Sequence, residues 1–265
     1  MPRFAANLGF LFTEVPFLQR FAAARAAGFS AVEFPYPYDY DREDLLKRIE
    51  ENKLEIVLFN LPPGNWEAGE RGIANDPSRI EEFRAGVEEA ISWALDLGSR
   101  RINCLAGKII DGVSFEEQWK TLSNNIKYAA EKLGEKGLLL TIEPINRFDI
   151  PGFFVNKIDD AIRLLDEVKA SNAYIQFDVY HVQRTHGELT GLLRRYFSRV
   201  GHIQIADNPG RHQPGTGEIN YNFLLREMDA LGYKDYVSLE YIPHPDTLAS
   251  LNWIKEYGVG PLEEG

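Results

Sequence analysis

Residues 117–144 read EQWKTLSNNIKYAAEKLGEKGLLLTIEP and contain a helix-to-strand unit. The apolar residues of the first part recur three and four positions apart, which is typical of an amphipathic helix. The apolar run LLLTI is instead typical of a buried strand. This strand ends at a carboxylate, Glu143, and Pro144 follows at once. A buried strand that ends in a carboxylate needs a structural or functional reason, which the other segments of the chain supply.

The same alternation of short strands and longer helices extends along the whole sequence. Eight segments predict strands: FAANL (4–8), AVEF (31–34), EIVLFNL (55–61), RINCLAG (101–107), LLLTIEP (138–144), AYIQFDVYH (173–181), HIQIAD (202–207) and VSLEYI (237–242). Several intervening helices are predicted to stop at glycine, at Gly28, Gly98 and Gly232. Eight strand-then-helix units predict an α/β fold, a parallel sheet closed into one (β/α)8 TIM barrel domain over residues 1–265. A doubly wound open sheet is the alternative, but no GxGxxG follows the first strand.

Charge and composition narrow the classes of partner. The formal net charge is -11 and the pI is near 5.0, with no basic patch, so we expect neither nucleic acid nor an anionic membrane surface as a partner. No apolar run approaches the roughly 20 residues that span a bilayer. Cys104 has no partner for an internal disulfide, and the N-terminal residues lack a signal-peptide pattern. We therefore expect a cytoplasmic location.

One segment has neither the helical nor the strand period. PPGNWEAGERGIANDPS, residues 62–78, contains three glycines and three prolines and follows the third predicted strand. In a TIM barrel, the loops that leave the C-terminal ends of strands form the active-site face. Long irregular loops are often functional, although a solvated excursion is the alternative.

Four consecutive predicted strands end in a polar residue that differs from its apolar neighbours. These residues are Glu143, Asp178, Gln204 and Glu240. Adjacent strands lie about 4.8 Å apart, so the four side chains can converge at the barrel mouth. Clustered carboxylates repel one another and raise each other's pKa unless a cation lies among them. Each residue alone could cap a helix or pair with an arginine, but four on successive strands favour a shared divalent metal site.

The types of ligand indicate which metal this site would hold. Three carboxylates and one amide oxygen form an all-oxygen set, which suits hard ions. We expect one Mg²⁺ ion, with Mn²⁺ as the alternative.

Several of these motifs resemble a known superfamily. IEPIN, FDVYH, HIQIAD, GTGEIN and LEY are similar to motifs of the sugar-isomerase-like barrels, which include xylose isomerases, tagatose and psicose epimerases and abasic-site endonucleases. The loop FNLPPGNWEAGERGIA, together with Gln204, resembles the hydroxypyruvate isomerase family in particular. The resemblance extends over nearly the whole chain.

This resemblance implies a metal-dependent isomerase acting on a small 2-oxo acid. The matching residues Glu143, Asp178, Gln204 and Glu240 would bind a divalent ion, and Glu143 and Glu240 would be the catalytic acid/base pair. The family reaction interconverts hydroxypyruvate and tartronate semialdehyde through an enediolate, in glyoxylate metabolism. Which glutamate is the base and which the acid is left open.

Other residues are candidates for binding the substrate. His181 and Arg211 match substrate-contacting residues of the related epimerases, and Arg211 could hold a carboxylate bidentately. Arg71, Lys108 and Arg147, on other loops of the same face, compete for that role. A structural hydrogen bond for His181 and a solvated surface charge for each of the others are the alternatives.

Other functions remain open from the sequence. An isomerase of a longer 2-oxo acid such as 2-oxotetronate would show the same motifs, because one extra carbon changes binding by only a few kcal/mol. A ketose 3-epimerase would carry histidine at position 204. An abasic-site endonuclease would need a histidine-rich zinc cluster and a basic groove. A non-catalytic binding protein would not be expected to keep all four ligands. Aromatic residues in YPYDYDRED (36–44) would allow a homo-oligomeric contact, but an ordinary surface loop explains them as well.

Overall fold

The structure, a computed structural model, describes residues 2–260; residues 1 and 261–265 of the predicted domain lie outside this part. Its strands are β1 (Arg3–Asn7), β2 (Ala31–Glu33), β3 (Glu55–Ile56), β4 (Phe59–Asn60), β5 (Arg101–Cys104), β6 (Leu139–Ile142), β7 (Ala173–Asp178), β8 (Val200–Ile205) and β9 (Tyr236–Leu239). Its α-helices are α1 (Phe17–Ala26), α2 (Arg42–Asn52), α3 (Ile80–Leu97), α4 (Phe115–Gly134), α5 (Ile158–Val168), α6 (Val179–Thr185), α7 (Leu189–Tyr196), α8 (Tyr221–Ala230) and α9 (Thr247–Ser250).

All strand pairs in the sheet are parallel, in the order β3-β2-β1-β9-β8-β7-β6-β5-β4. The two end strands, β3 and β4, are consecutive in the chain and together form the third predicted strand, residues 55–61. Only Val57 and Leu58 separate them, so the backbone itself joins the two edges of the sheet. The predicted TIM barrel is confirmed, with its third strand divided between two neighbours.

The amphipathic pattern that predicted the helices also describes how they pack. In α4 the buried face contains Trp119, Leu122, Ile126, Ala129 and Leu133, spaced three and four residues apart. The helix begins at the N-cap Ser114, whose side chain accepts a hydrogen bond from the backbone N–H of Glu117. Helices of this kind cover the outside of the barrel and leave its interior to the strand side chains.

The upper interior of the barrel contains buried polar side chains, most of which are joined by hydrogen bonds. Its buried members are Asn7, Glu33, Asn103, Thr141, Gln176, His202, Gln204 and Ser238. Thr141 contacts both Asn103 and Gln176 at 3.3 Å, and Gln176 donates to Gln204 at 2.6 Å. Because buried polar groups are costly unless they are paired, this network holds the strand ends in register beneath the barrel mouth.

Within residues 2–260, no helix is both long enough and apolar enough to cross a membrane.

Candidate active site

A cavity of about 870 Å³ opens at the C-terminal ends of the strands. Glu143 and Glu240, directly after β6 and β9, line it together with His181 and Arg211. The loop of residues 62–78 forms one wall through its first half. The structure therefore brings this irregular segment to the same face as the predicted carboxylates.

Four side chains at the base of the cavity form a compact group. Ligand atoms of Glu143, Asp178, His181 and Glu240 all lie within 4.8 Å of one another. Nε2 of His181 lies 3.7 Å from Oε1 of Glu143 and 3.5 Å from Oδ2 of Asp178. Such a cluster of acidic and histidine groups could hold a metal ion.

Asp178 connects this cluster to a helix terminus. Its Oδ1 accepts hydrogen bonds from the backbone N–H groups of Tyr180 at 2.8 Å and His181 at 3.4 Å, and so caps α6. Its Oδ2 is buried and has no hydrogen-bond partner in the described structure. A buried carboxylate oxygen that faces other carboxylates and forms no hydrogen bond has the environment expected of a cation ligand.

Arg211 supplies a positive charge to this group. Its Nη2 contacts Oε2 of Glu240 and lies 3.5 Å from Oδ2 of Asp178. Burial would lower the pKa of Arg211, but the nearby carboxylates of Glu240, Asp178 and Glu143 raise it above its usual value. The guanidinium therefore stays charged and offsets part of the repulsion among the acids.

Burial and mutual repulsion change the acidity of the two glutamates. Burial is the largest cause that raises the pKa of Glu143, and the negative charges of Glu240 and Asp178 raise it further. Burial likewise raises the pKa of Glu240 to about 8, although Arg211 lowers it in part. The carboxyl of Glu240 is therefore able to hold a proton near neutral pH, and that of Glu143 holds its proton above the usual range of a glutamate, as an acid/base catalyst has to do.

His181 is neutral and has one defined tautomer. Burial lowers the pKa of His181 to about 3. Oδ1 of Asn146 accepts from two backbone N–H groups, so its Nδ2 is the atom that lies 2.7 Å from Nδ1 of His181. Nδ1 then accepts, and the hydrogen lies on Nε2, which faces Glu143 and Asp178. In this form His181 is a hydrogen-bond donor to the cavity and not a metal ligand.

Gln204 has the oxygen of its amide group turned away from Glu240 and the cavity. Its Nε2 donates to Oε1 of Glu33 at 2.7 Å and to Oε1 of Glu240 at 3.2 Å. Its Oε1 accepts from Gln176. The predicted role of Gln204 as a metal ligand requires the opposite orientation of the amide, whereas the orientation seen here positions Glu240.

A buried pair beneath the cluster was not expected from the sequence. Nε2 of His202 lies 2.7 Å from Oε2 of Glu33, and Asn7 donates to the other oxygen of Glu33 at 2.8 Å. Burial would raise the pKa of Glu33, but the charge and hydrogen bond of His202, with a further hydrogen bond from Gln204, lower it overall. Glu33 is thus a buried carboxylate anion that orients donors toward Glu240. A charged residue within the apolar strand AVEF is the signal that could have revealed it.

The remaining candidates fall into two groups. Arg71 lines the cavity, as does the exposed Asp149. Lys108 is exposed, bridges to Phe153 through its backbone, and lies outside the cavity lining. Arg147 is also exposed and its guanidinium lies 5.5 Å from the ring of Phe148. The structure therefore brings Arg71, Arg211 and His181 to the cavity and leaves Lys108 and Arg147 outside it.

Comparison with known proteins agrees with this architecture. A family model described as a xylose isomerase-like TIM barrel matches residues 21–257. A hydroxypyruvate isomerase from Escherichia coli is 50% identical over 257 residues, covering 97% of this chain and 100% of that protein. The chain belongs to the hydroxypyruvate isomerase family. A 2-oxo-tetronate isomerase from Cupriavidus necator is 44% identical to this family member, covering 97% of this chain and 99% of that protein.

A solved structure is also similar along its whole length. It is described as an AP endonuclease, family 2, from Brucella melitensis, and it superposes with a TM-score of 0.94 at 41% identity, covering 97% of this chain and 99% of that chain. Both relatives named above, the hydroxypyruvate isomerase and the 2-oxo-tetronate isomerase, are isomerases. The chain is accordingly an enzyme of the isomerase class.

Proposed function

We propose that this chain interconverts hydroxypyruvate and tartronate semialdehyde by moving a proton between neighbouring carbons through an enediolate. The observation that carries the proposal is the pair formed by the buried Glu143 and the half-buried Glu240, whose pKa values are both raised and which lie in one cluster with Asp178 and His181. A proton shuttle needs two groups that exchange protons near neutral pH at opposite sides of one substrate. Their positions after β6 and β9 supply those two sides.

The donor set fits one divalent ion. Glu143, Asp178 and Glu240 offer carboxylate oxygens, and the unpartnered Oδ2 of Asp178 is directed into the cluster. Oxygen ligands favour Mg²⁺, with Mn²⁺ as the alternative. A bound ion of this kind would act as a Lewis acid that stabilises negative charge on neighbouring oxygens of the substrate. Gln204 would join these ligands only with its amide reversed.

The protein residues divide the proton transfer among them. The carboxylate of one glutamate removes a proton from C3 of hydroxypyruvate, and the carboxylic acid of a glutamate delivers a proton to C2. The hydroxyl proton on the C3 oxygen moves to the C2 oxygen, which gives tartronate semialdehyde. The N–H of His181, fixed by Asn146, donates to an oxygen of the enediolate and favours its negative charge. The neutral state of His181 suits this role. A neutral imidazole donates a hydrogen bond but is a much weaker acid than an imidazolium, so it does not transfer its proton to the enediolate.

A 2-oxotetronate isomerase is the second candidate function. The cavity of about 870 Å³ has room for an additional carbon, and a 2-oxo-tetronate isomerase is among the relatives. A ketose 3-epimerase is less well supported because Gln204 stands where the epimerase pattern has histidine.

An endonuclease or a non-catalytic role has less support. The chain carries a net charge of -11, and acidic side chains line its cavity, which opposes a phosphate backbone. In the described residues the metal-capable cluster contains one histidine, whereas a cluster for several zinc ions would need more. A binding protein would have no need for two glutamates with raised pKa values.

Proton NMR in deuterated water tests the proposal. The purified protein is offered hydroxypyruvate and 2-oxotetronate in separate samples, with and without Mg²⁺. We expect metal-dependent conversion of hydroxypyruvate, with deuterium incorporated at carbon, faster than any reaction of the longer acid. A preference for 2-oxotetronate would support the second candidate, and no turnover or exchange of either acid would refute both.

A further inference from the structure

The cavity is unusually acidic for a site that would bind an anion. The carboxylates that line it are Asp39, Glu67, Glu89, Glu143, Asp149 and Glu240. Two arginines in the described chain, Arg71 and Arg211, also line it. A carboxylate substrate entering this cavity would be repelled unless one of these cations binds it.

Arg211 already has partners of its own. Its Nη2 contacts Glu240 and approaches Asp178. The rings of Phe10 and Tyr180 lie 4.7 and 5.1 Å from its guanidinium carbon. Turning Arg211 toward the substrate would expose buried carboxylates to each other.

The side chain of Arg71 contacts backbone carbonyls and an aromatic ring instead. Its Nη1 donates to the backbone carbonyls of Trp66 at 3.1 Å and Glu70 at 2.6 Å. Its guanidinium stacks on the ring of Trp66, with the central carbon 3.6 Å from the ring centroid. Within residues 2–260 no carboxylate forms an ion pair with Arg71, so Nε and Nη2 remain able to donate to a ligand.

The loop that contains Arg71 is held by hydrogen bonds and by close packing. Glu70 accepts a hydrogen bond from the backbone N–H of Asn65 and another from Nη1 of Arg79 at 2.6 Å. The backbone N–H of Gly72 donates to the carbonyl of Pro63 at 2.8 Å. Gly72 has φ +99°, and a Cβ there would lie 2.1 Å from the carbonyl oxygen of Leu105. The loop is therefore packed against its neighbour and holds Arg71 in place.

Tyr36 lines the same cavity as Arg71, Glu143 and Glu240. Its ring lies 5.6 Å from that of Trp66. Burial is the main cause that raises the pKa of Tyr36; Arg71 lowers it, while Glu143 and Glu240 raise it. Arg71 and both glutamates therefore act on the same phenol group from within the same cavity.

We infer that Arg71 binds the carboxylate of the substrate and thereby makes the site select 2-oxo acids over uncharged molecules of the same size. The inference rests on the proposed function, because it assigns a binding residue to the carboxylate of the same substrate. Nε and Nη2 would form the bidentate contact, and Trp66 would support the guanidinium from behind. Arg211 would remain with Glu240 and Asp178.

The test compares pyruvate with pyruvamide, which differ only in a carboxylate and an uncharged carboxamide. Neither has the α-hydroxyl group that the isomerisation needs, so binding is measured without turnover. Binding of each is measured by NMR titration to wild type, Arg71→Met and Arg71→Lys in the presence of Mg²⁺. Lys108→Met is the matched control, since it removes a positive charge from the same face outside the cavity. The KM of each variant for hydroxypyruvate is measured in parallel.

We expect wild type and Lys108→Met to bind pyruvate more tightly than pyruvamide. Arg71→Met should weaken pyruvate binding about ten- to a hundred-fold, the range expected for a lost charged hydrogen bond, and leave pyruvamide binding unchanged. Its KM for hydroxypyruvate should rise by a similar factor, with a smaller change in kcat, and Arg71→Lys should recover part of the loss.

Equal pyruvate binding by wild type and Arg71→Met, or no preference of wild type for pyruvate over pyruvamide, would overturn the inference. Selective, Arg71-dependent pyruvate binding without turnover of hydroxypyruvate would instead count against the proposed function and leave the carboxylate site standing.

Discussion

Nδ2 of Asn146 lies 2.7 Å from Nδ1 of His181, and this contact determines which ring nitrogen faces the carboxylate cluster. Oδ1 of Asn146 is occupied by the backbone N–H groups of Phe148 and Asp149, each at 3.0 Å. Because the amide cannot turn without losing both bonds, Nε2 of His181 carries the hydrogen. A turn directly after β6 thus sets the hydrogen-bonding direction of a ring on α6.

Asn146→Asp should reverse that direction while the turn remains. The carboxylate still accepts from the two backbone N–H groups, but it now favours a hydrogen on Nδ1 of His181. We expect kcat to fall about ten- to a hundred-fold, the range of a lost general-acid or hydrogen-bond contribution. Nitrogen-15 NMR of His181 should show the change of tautomer. Asn156→Asp, at a side chain that donates only to the carbonyl of Phe153, is the control. An unchanged tautomer with reduced activity would contradict this explanation.

The acid/base pair can be tested by removing each charge with little change of shape. Glu143→Gln and Glu240→Gln should each lower kcat by at least about 10²-fold, because the amide neither takes up nor returns a proton. Circular dichroism and thermal unfolding should show that both variants fold. Glu67→Gln, at an exposed carboxylate that lines the same cavity, should retain activity. Near-normal turnover in both variants would rule out the assignment.

Asp178→Asn should weaken metal binding. The amide keeps the oxygen that caps α6 but replaces the unpartnered Oδ2 with an NH2 group, which does not coordinate a cation. We expect calorimetry to show weaker binding of Mg²⁺ and Mn²⁺ by about tenfold or more, and excess metal to restore part of the activity. Wild type treated with a chelator should lose turnover. Chelator-resistant activity would remove the ion from the reaction.

Metal affinity should rise with pH. Glu143 and Glu240 have raised pKa values, so in the metal-free protein protons compete with a cation for the same oxygens. The pKa of Glu240 is about 8, and affinity should therefore increase between pH 6.5 and 8.5 as that proton is lost. Calorimetry in two buffers with different ionisation enthalpies measures the protons released. Glu240→Gln should reduce the slope, and a pH-independent affinity would argue against competition.

The buried pair of Glu33 and His202 should contribute to stability. Glu33→Gln removes the charge that Asn7, His202 and Gln204 contact, and leaves donors without acceptors in the barrel interior. We expect a loss of about 3 kcal/mol in the free energy of unfolding, measured with denaturant. Glu55→Gln, at the exposed start of β3, should change it by less than about 0.5 kcal/mol.

The sequence was informative about the fold because barrel strands and helices have local periods. The apolar runs before Glu143 and Asp178 predicted both the strands and the placement of these acids at the barrel mouth. The divided third strand was not predicted, since the residues around the break, IVLF (56–59), are all apolar and the change of pairing partner after Ile56 depends on how the sheet closes.

The finer features of the site depend on contacts between distant strands. Glu33 on β2 reaches His202 and Gln204 on β8 across the barrel interior, and residue spacing contains no information about that contact. The amide of Gln204 takes its orientation from this neighbour. Lys108 looked equivalent to Arg71, since both follow strand ends, but the backbone bridge to Phe153 carries it elsewhere.

The two halves of the chain contribute different things to the cavity. Glu143, Asp178 and Glu240 all come from β6 to β9, whereas the segment containing Trp66 and Arg71 leaves β4. A chimaera that exchanges only residues 62–78 would therefore change which molecules are admitted and keep the proton-transfer atoms intact. An exchange of the whole first half would instead disturb Glu240. Asn7 donates to Glu240, and Glu33 accepts from the Gln204 amide that also donates to Glu240. The grafting boundary for redesigning specificity thus lies at the loop and not at the midpoint of the barrel.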